Sequence, residues 1–169
     1  MLLTTARLTL APQGPQLLHT AHRYCTDPET TRYMFHLPNE TEAETLQALL
    51  AAQQEWETPH PQRFEFAVFR AGGHIGAVSV ARDGELGYIL DKHHWGQGYA
   101  AEAARAVLDW CRTTQGMTEF MAHCDAENHA SRRVLEKLGF VFTEQYGGRR
   151  NRGSTEERQE CLYTLACSE

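Results

Sequence analysis

The sequence predicts a single α+β domain over residues 1–169: a mixed, mostly antiparallel twisted sheet of about seven strands, flanked by helices, in the order βααβββαβαββ. Three observations lead there. Alternating apolar residues broken by two-residue glycine turns between Phe64 and Leu90 describe an antiparallel meander. From Ala100 an apolar stripe of helical period describes a helix packed on that meander. Gly84 to Cys124 alone has the strand, helix, strand layout of a parallel unit, which makes the sheet mixed.

Each element has its own signal. Leu2 to Leu10 reads as the first strand, and two short helical stretches follow before Leu37-Pro38-Asn39. Thr41-Glu42-Ala43-Glu44 is a capping box, in which hydroxyl and carboxylate satisfy each other's free backbone amides. Leu46, Leu49, Leu50 and Trp56 then share one helix face until Thr58-Pro59-His60-Pro61. Strands follow at Phe64 to Phe69, at Ile75 to Ala81 after Gly72-Gly73, and at Glu85 to Leu90 after Asp83-Gly84. In the next helix, Ala100, Ala103, Ala104, Val107, Leu108 and Cys111 lie opposite Glu102, Arg105, Asp109 and Arg112. Glu119 to Cys124 is a strand and Asn128 to Leu138 a helix stopped by Gly139. Phe140 to Thr143 and Cys161 to Leu165 are the last strands.

Composition narrows the class. A content of 41% apolar and 22% charged residues suits one compact enzyme-sized domain. With 16 basic against 22 acidic residues the net charge is -6, which argues against nucleic acid as a partner and favours a cationic substrate. Cys25, Cys111, Cys124, Cys161 and Cys167 form no C-x-x-C pair and read as free thiols of a reducing compartment. Thr4, Thr5 and Arg7 interrupt the apolar start, and no later run is long enough for a bilayer, so no membrane association and a cytoplasmic location are expected. A monomer or homodimer is expected, without a metal.

The most informative run is Gly84 to Ala103, in which a strand enters a glycine-containing turn and an alanine-rich helix leaves it. Helix N-termini carry unpaired amides and about half a positive charge, and glycines let a pyrophosphate approach those amides. Gly96-Gln97-Gly98-Tyr99-Ala100-Ala101 formally satisfies the dinucleotide fingerprint G-x-G-x-x-G/A. Asp125, however, lies too far along the chain for the ribose-binding acid, and an antiparallel meander precedes the turn.

Three blocks resemble the GNAT superfamily, in the branch of the ribosomal-protein N-acetyltransferases. Thr5-Ala6-Arg7-Leu8-Thr9-Leu10 is similar to that branch's opening strand, and Gly87-Tyr88 through Trp95-Gly96-Gln97-Gly98-Tyr99-Ala100-Ala101-Glu102-Ala103 to its coenzyme-binding motif. Ala126-Glu127-Asn128-His129-Ala130-Ser131 through Leu135-Glu136-Lys137-Leu138-Gly139-Phe140 resembles its last helix and exit strand. Two departures stand out: Trp95 replaces the usual glutamine or arginine of the turn, and Leu135 stands where a thiolate-protonating tyrosine is common.

The resemblance implies acetyl-coenzyme A as cosubstrate and a primary amine as acceptor, either a protein N-terminal α-amine or a small-molecule amine. Pantetheine is then expected between the strands ending at Asp91 and Cys124, paired with Ile89 and Leu90 like an added strand. Trp95, Gly96, Gln97, Gly98, Tyr99, Ala100 and Ala101 would hold the pyrophosphate, and Asn128 would contact pantetheine or cap its helix. The amide near Ile89 or Leu90 is the candidate oxyanion donor. Glu85, on a strand face with Gly87 and Ile89, is the candidate base, with Asp91, His93, His94 and His123 as rivals. Ser131, one turn after Asn128, is the candidate donor to sulfur. Cys124 reads as a small core residue rather than an acyl carrier, and Arg149-Arg150-Asn151-Arg152 as a solvated loop. The region between Tyr24 and Asn39, with that late loop, would wall the acceptor side. The missing tyrosine also raises a different class of function, a catalytically silent coenzyme A-binding or interaction module.

Overall fold

The computed structural model describes residues 1–166; Cys167 lies outside them. The opening strand is two strands, β1 (Leu3–Thr4) and β2 (Thr9–Pro12), which pair as a hairpin. Thr5 causes the break: its amide donates to the Leu8 carbonyl at 2.9 Å, and its hydroxyl accepts from the Leu8 amide at 2.9 Å. The two short helical stretches are one, because a 3-10 turn at Pro15–Leu17 runs straight into α1 (Leu18–Cys25).

Helix α2 (Glu42–Glu57) starts on the expected box, with Thr41 accepting from the Glu44 amide and Glu44 returning the contact. Strands β3 (Arg63–Arg70), β4 (Gly73–Ala81) and β5 (Leu86–Leu90) form the meander, followed by α3 (Tyr99–Gln115). Then come β6 (Glu119–Asp125), α4 (His129–Leu138), β7 (Val141–Arg149) and β8 (Arg158–Ala166). Left-handed Gly116 and Gly139 end α3 and α4, as helix stops do.

Strands β1 to β5 make one antiparallel sheet, and β6-β8-β7 a second. Among the described residues a single parallel bridge, Glu85 to Met121, joins them, with the Met121 amide donating to the Gly84 carbonyl at 3.0 Å. The mixed character of the sheet therefore rests on one bridge, beyond which β5 and β6 part.

Alternation along β5 sends its side chains to two layers. Leu86 and Leu90 join Phe66, Val78, Val107 and Cys111 in the core beneath α3. Ile89, on the other face, packs with Tyr24 of α1 and Leu49 of α2. Trp56 ends α2 against Phe66 and Trp110, with ring centroids 4.9 and 6.0 Å away. No helix among the described residues is long and apolar enough to cross a membrane.

His74 on β4 ties α1 to the sheet. Its Nε2 lies 3.0 Å from the Gly76 carbonyl and its Nδ1 2.7 Å from the Thr20 hydroxyl. Burial lowers its pKa from 6.5 to about 4, so the folded protein holds it neutral. Because the unfolded chain takes up the proton first, His74 costs nothing above its unfolded pKa of 6.5, and stability falls as pH drops from there toward 4. The loss is on the order of 3 kcal/mol. Urea unfolding of His74→Gln and the parent across that range should show a smaller acid-side decline in the variant; equal slopes would contradict the assignment.

Candidate active site

Strand β5 leaves the sheet at Leu90, passes through a 3-10 turn at Lys92–His94, and delivers Trp95-Gly96-Gln97-Gly98 to the start of α3. Gly96 and Gly98 have φ of 73° and 82°, the left-handed region that side chains avoid. Nothing lies within 4 Å of where a Gly96 Cβ would stand, so the surface over the turn is open. The first-turn amides at Tyr99, Ala100 and Ala101 have no intrahelical partner and share the positive end of α3. This cradle fits a pyrophosphate.

Two ties hold the turn. From the hairpin, Arg7 donates to the Gln97 carbonyl at 2.9 Å and to Glu102 at 2.7 Å, with its guanidinium 4.5 Å over the Tyr99 ring. From the other side, Lys92 reaches Asp27 at 2.7 Å and Glu29 at 3.2 Å, joining the turn to the segment after α1. Trp95, 45% exposed, donates its indole N–H to the Leu90 carbonyl at 2.8 Å. The residue that departs from the usual turn thus braces the end of β5.

The backbone of β5 alternates between two directions. A Cβ on Gly76 would come within 2.2 Å of the Ile89 carbonyl, and the Asp91 amide donates to Ile75 at 2.9 Å, so Ile89 and Asp91 face β4. Tyr88 and Leu90 consequently face the gap toward β6. The structure separates the two positions that the sequence paired: Leu90 offers backbone groups to the cleft and Ile89 does not.

Across the gap, Asn128 caps α4, its side-chain oxygen accepting from the Ser131 amide at 3.1 Å. The Ser131 hydroxyl lies 2.7 Å from that of Tyr88, so a hydrogen bond joins β5 to α4 across the gap. The sequence reading gave Tyr88 no role, because its partner lies 43 positions further along the chain. Leu135, where a tyrosine is common in the family, is wholly buried. Cys124 is buried too, and burial pushes its thiol up to about 12, which suits a core residue rather than a nucleophile.

Glu85 lies on the face opposite Tyr88, its carboxylate 3.3 Å from the Nδ1 of His123 on β6. The parallel bridge brings these two candidates together. Of the other rivals, Asp91 is occupied by Arg23 at 3.2 Å and by the His93 amide at 3.0 Å, and His93 and His94 sit in the 3-10 turn.

The late basic cluster corrects the expectation of a solvated loop. Arg149 ends β7 at 5% exposure, donating to Glu160, to Asn151 and to the Tyr33 carbonyl, with its guanidinium 4.0 Å from the Phe35 ring centroid. Asn151 is buried as well and donates to Asp125 at 2.8 Å, beside Arg158. Burial alone would raise the Asp125 carboxyl, but the Arg158 and Asn151 hydrogen bonds hold it below the ordinary carboxylate range. Arg152 donates to the His36 carbonyl at 2.7 Å and to Glu44 at 3.0 Å. Residues 33–36 and 149–152 therefore form one wall.

An anion cradle on one face of a parted strand pair, with a carboxylate and an imidazole on the other, is an arrangement that suits acyl transfer from a phosphate-bearing cosubstrate. Residues 7–141 match the family model of the acetyltransferase (GNAT) domain, and the chain belongs to that family. It is 28% identical over 144 residues to an uncharacterized N-acetyltransferase, p20, of Bacillus licheniformis, covering 82% of this chain and 81% of that one. It is 29% identical over 83 residues, 46% of either chain, to the ribosomal-protein-serine acetyltransferase of Escherichia coli. The solved ribosomal alpha-N-protein acetyltransferase RimL in complex with coenzyme A shares the fold, with a TM-score of 0.86 at 16% identity over 99% of this chain and 98% of that one. The protein is an N-acetyltransferase.

Removing Arg149 should be costly, since Glu160 and the Tyr33 carbonyl would lose a buried donor. Arg149→Ala is expected to destabilise the fold by about 3 to 5 kcal/mol in denaturant unfolding. A loss within the error of the measurement would show that the wall does not depend on it.

Proposed function

We propose that the protein transfers acetyl from acetyl-coenzyme A directly to a primary amine, in the cleft where β5 and β6 part, with Glu85 as proton acceptor. One observation carries this reading: the glycine turn and the Tyr88–Ser131 pair lie on the α3 and α4 side, and the Glu85–His123 pair on the opposite face. A coenzyme entering from one side and an amine from the other meet at the parted strands.

The chain's own groups fit that division. The amides of Gly96 to Ala101, with Trp95 and Gln97 around them, hold the pyrophosphate at the head of α3. Backbone groups of Tyr88 and Leu90 receive the pantetheine arm, and the Leu90 amide is placed to support an oxyanion. Acetyl-coenzyme A supplies the activated thioester. Glu85 takes a proton from the incoming ammonium, directly or through water, and His123 orients its carboxylate. Ser131, held by Tyr88 and by the Asn128-capped start of α4, donates a hydrogen bond to the departing sulfur. Tyr88 in this reading supports the role of the tyrosine absent at Leu135. The acceptor is a protein N-terminal α-amine or a small-molecule amine, in keeping with relatives that act on ribosomal proteins and with the net charge of -6.

Acetyl-coenzyme A should raise the melting temperature with its concentration, and NADH should not. Gly98→Glu places a side chain at φ 82° and a negative charge at the cradle, so it should abolish that rise. An undiminished rise would move the coenzyme site elsewhere.

Glu85→Gln keeps the shape and removes the basic oxygen. In a thiol-release assay with products followed by mass spectrometry, it should lower kcat by roughly 10²-fold while leaving coenzyme affinity nearly unchanged. Raising the pH should restore part of the rate, because solvent then supplies more neutral amine. Parent-like turnover at every pH would assign the base to another group, and coenzyme binding without thiol release from the parent would overturn acetyl transfer itself.

A further inference from the structure

On the face beneath α1 and α2, one polar row crosses four strands. Gln13 follows β2 and donates its amide to the Glu65 carbonyl at 2.9 Å, Glu65 pairs with Ser79, and Ser79 with Gly87. A Cβ on Gly87 would meet the Ser79 hydroxyl at 3.2 Å, so the two share a face, and Gly87 leaves room there. Ser79 and Gly87 lie on strands with neighbours at the middle of the fold, yet both are only half-buried, as is Glu65.

At its far end stand acceptors short of donors. Gln13 is 4% exposed, and its side-chain carbonyl oxygen has no hydrogen-bond partner among the described residues. Its side chain neighbours the Tyr24 hydroxyl and the Glu65 carboxyl. Burial raises that carboxyl above its ordinary range, and Arg63, exposed at the start of β3, draws it back only in part. A carboxylate beside an unpaired amide oxygen fits a cation with several N–H donors, as a primary ammonium has. A water molecule would satisfy the oxygen but leave the charge unmatched.

The near end of the row is the acceptor side of the active site, since Gly87 follows Glu85 on the same face. Two strand spacings, roughly 10 Å, separate Gly87 from Glu65. We propose that Gln13 and Glu65 form a second cation subsite, which binds the distal ammonium of an aliphatic diamine or polyamine whose near amine is placed over Gly87 for acetylation. This rests on the acetyl-transfer reading above and adds to it a class of acceptor and the residues that select it.

The test compares diaminooctane, long enough to span the row, with octylamine and with the short diaminopropane. Calorimetric titration in the presence of coenzyme A should give diaminooctane about tenfold tighter binding than either, an advantage lost in Glu65→Gln and reduced in Gln13→Leu. In turnover, the kcat/KM ratio of diaminooctane to octylamine should be about tenfold in the parent, carried by KM, and should collapse toward one in both variants. Because each ratio is measured within one protein, incomplete folding of a variant cancels. Equal handling of the amines by the parent, or ratios untouched by either substitution, would overturn the subsite while leaving acetyl transfer standing. Glu65-dependent binding of diaminooctane without acetylation of any amine would uphold the subsite and overturn the transfer reading instead.

Discussion

The parting of β5 from β6 is the constraint around which the molecule is arranged. Two parallel neighbours would ordinarily keep hydrogen-bonding along their length, because buried backbone groups left unpaired are costly. Here pairing stops after the Glu85–Met121 bridge. The freed edge of β5 is partly answered from within: Trp95 donates to the Leu90 carbonyl, and Tyr88 reaches across to Ser131. What remains is an edge with donors and acceptors at the spacing of a strand, which suits an extended amide-bearing ligand better than another strand.

Both sides of the cleft are held by contacts remote in sequence. Arg7 fixes the coenzyme turn from the hairpin, and Arg149 and Arg152 fix the segment after α1 from the end of the chain. The arginines do this through carbonyl oxygens as much as through carboxylates, so they fix backbone paths and not only charges. Lys92 connects the two sides through Asp27 and Glu29.

The sequence made the local rules legible and left the long-range ones hidden. The capping box at Thr41 and Glu44, the glycine stops of α3 and α4, and the glycines of the turn could be read because each is decided by neighbours within a few residues. The Thr41 helix began where its cap required, and the glycine turn stands at the start of α3 as the strand, turn, helix pattern required. Three features could not be read. The hairpin break at Thr5 looks like strand until the Thr5 hydroxyl finds the Leu8 amide and the Glu102 carboxylate; Ile89 and Leu90 look equivalent until the direction of each carbonyl is known; and Arg149 to Arg152 look solvated because no local pattern announces a buried carboxylate 11 residues away. Tyr88 is the instructive omission: it stood in the quoted motif without a role, and its partner Ser131 lies 43 positions further along the chain.

The acceptor wall has a kinetic consequence. Its contacts from Arg149 to Tyr33 and from Arg152 to His36 each join residues 116 positions apart, whereas the coenzyme helix and its glycine turn are contiguous in the chain. Contacts of that reach must overcome the loop-closure entropy of most of the polypeptide and are made slowly. The wall between residues 33–36 and 149–152 is therefore completed only when the C-terminal hairpin docks, so its closure depends on nearly the whole chain.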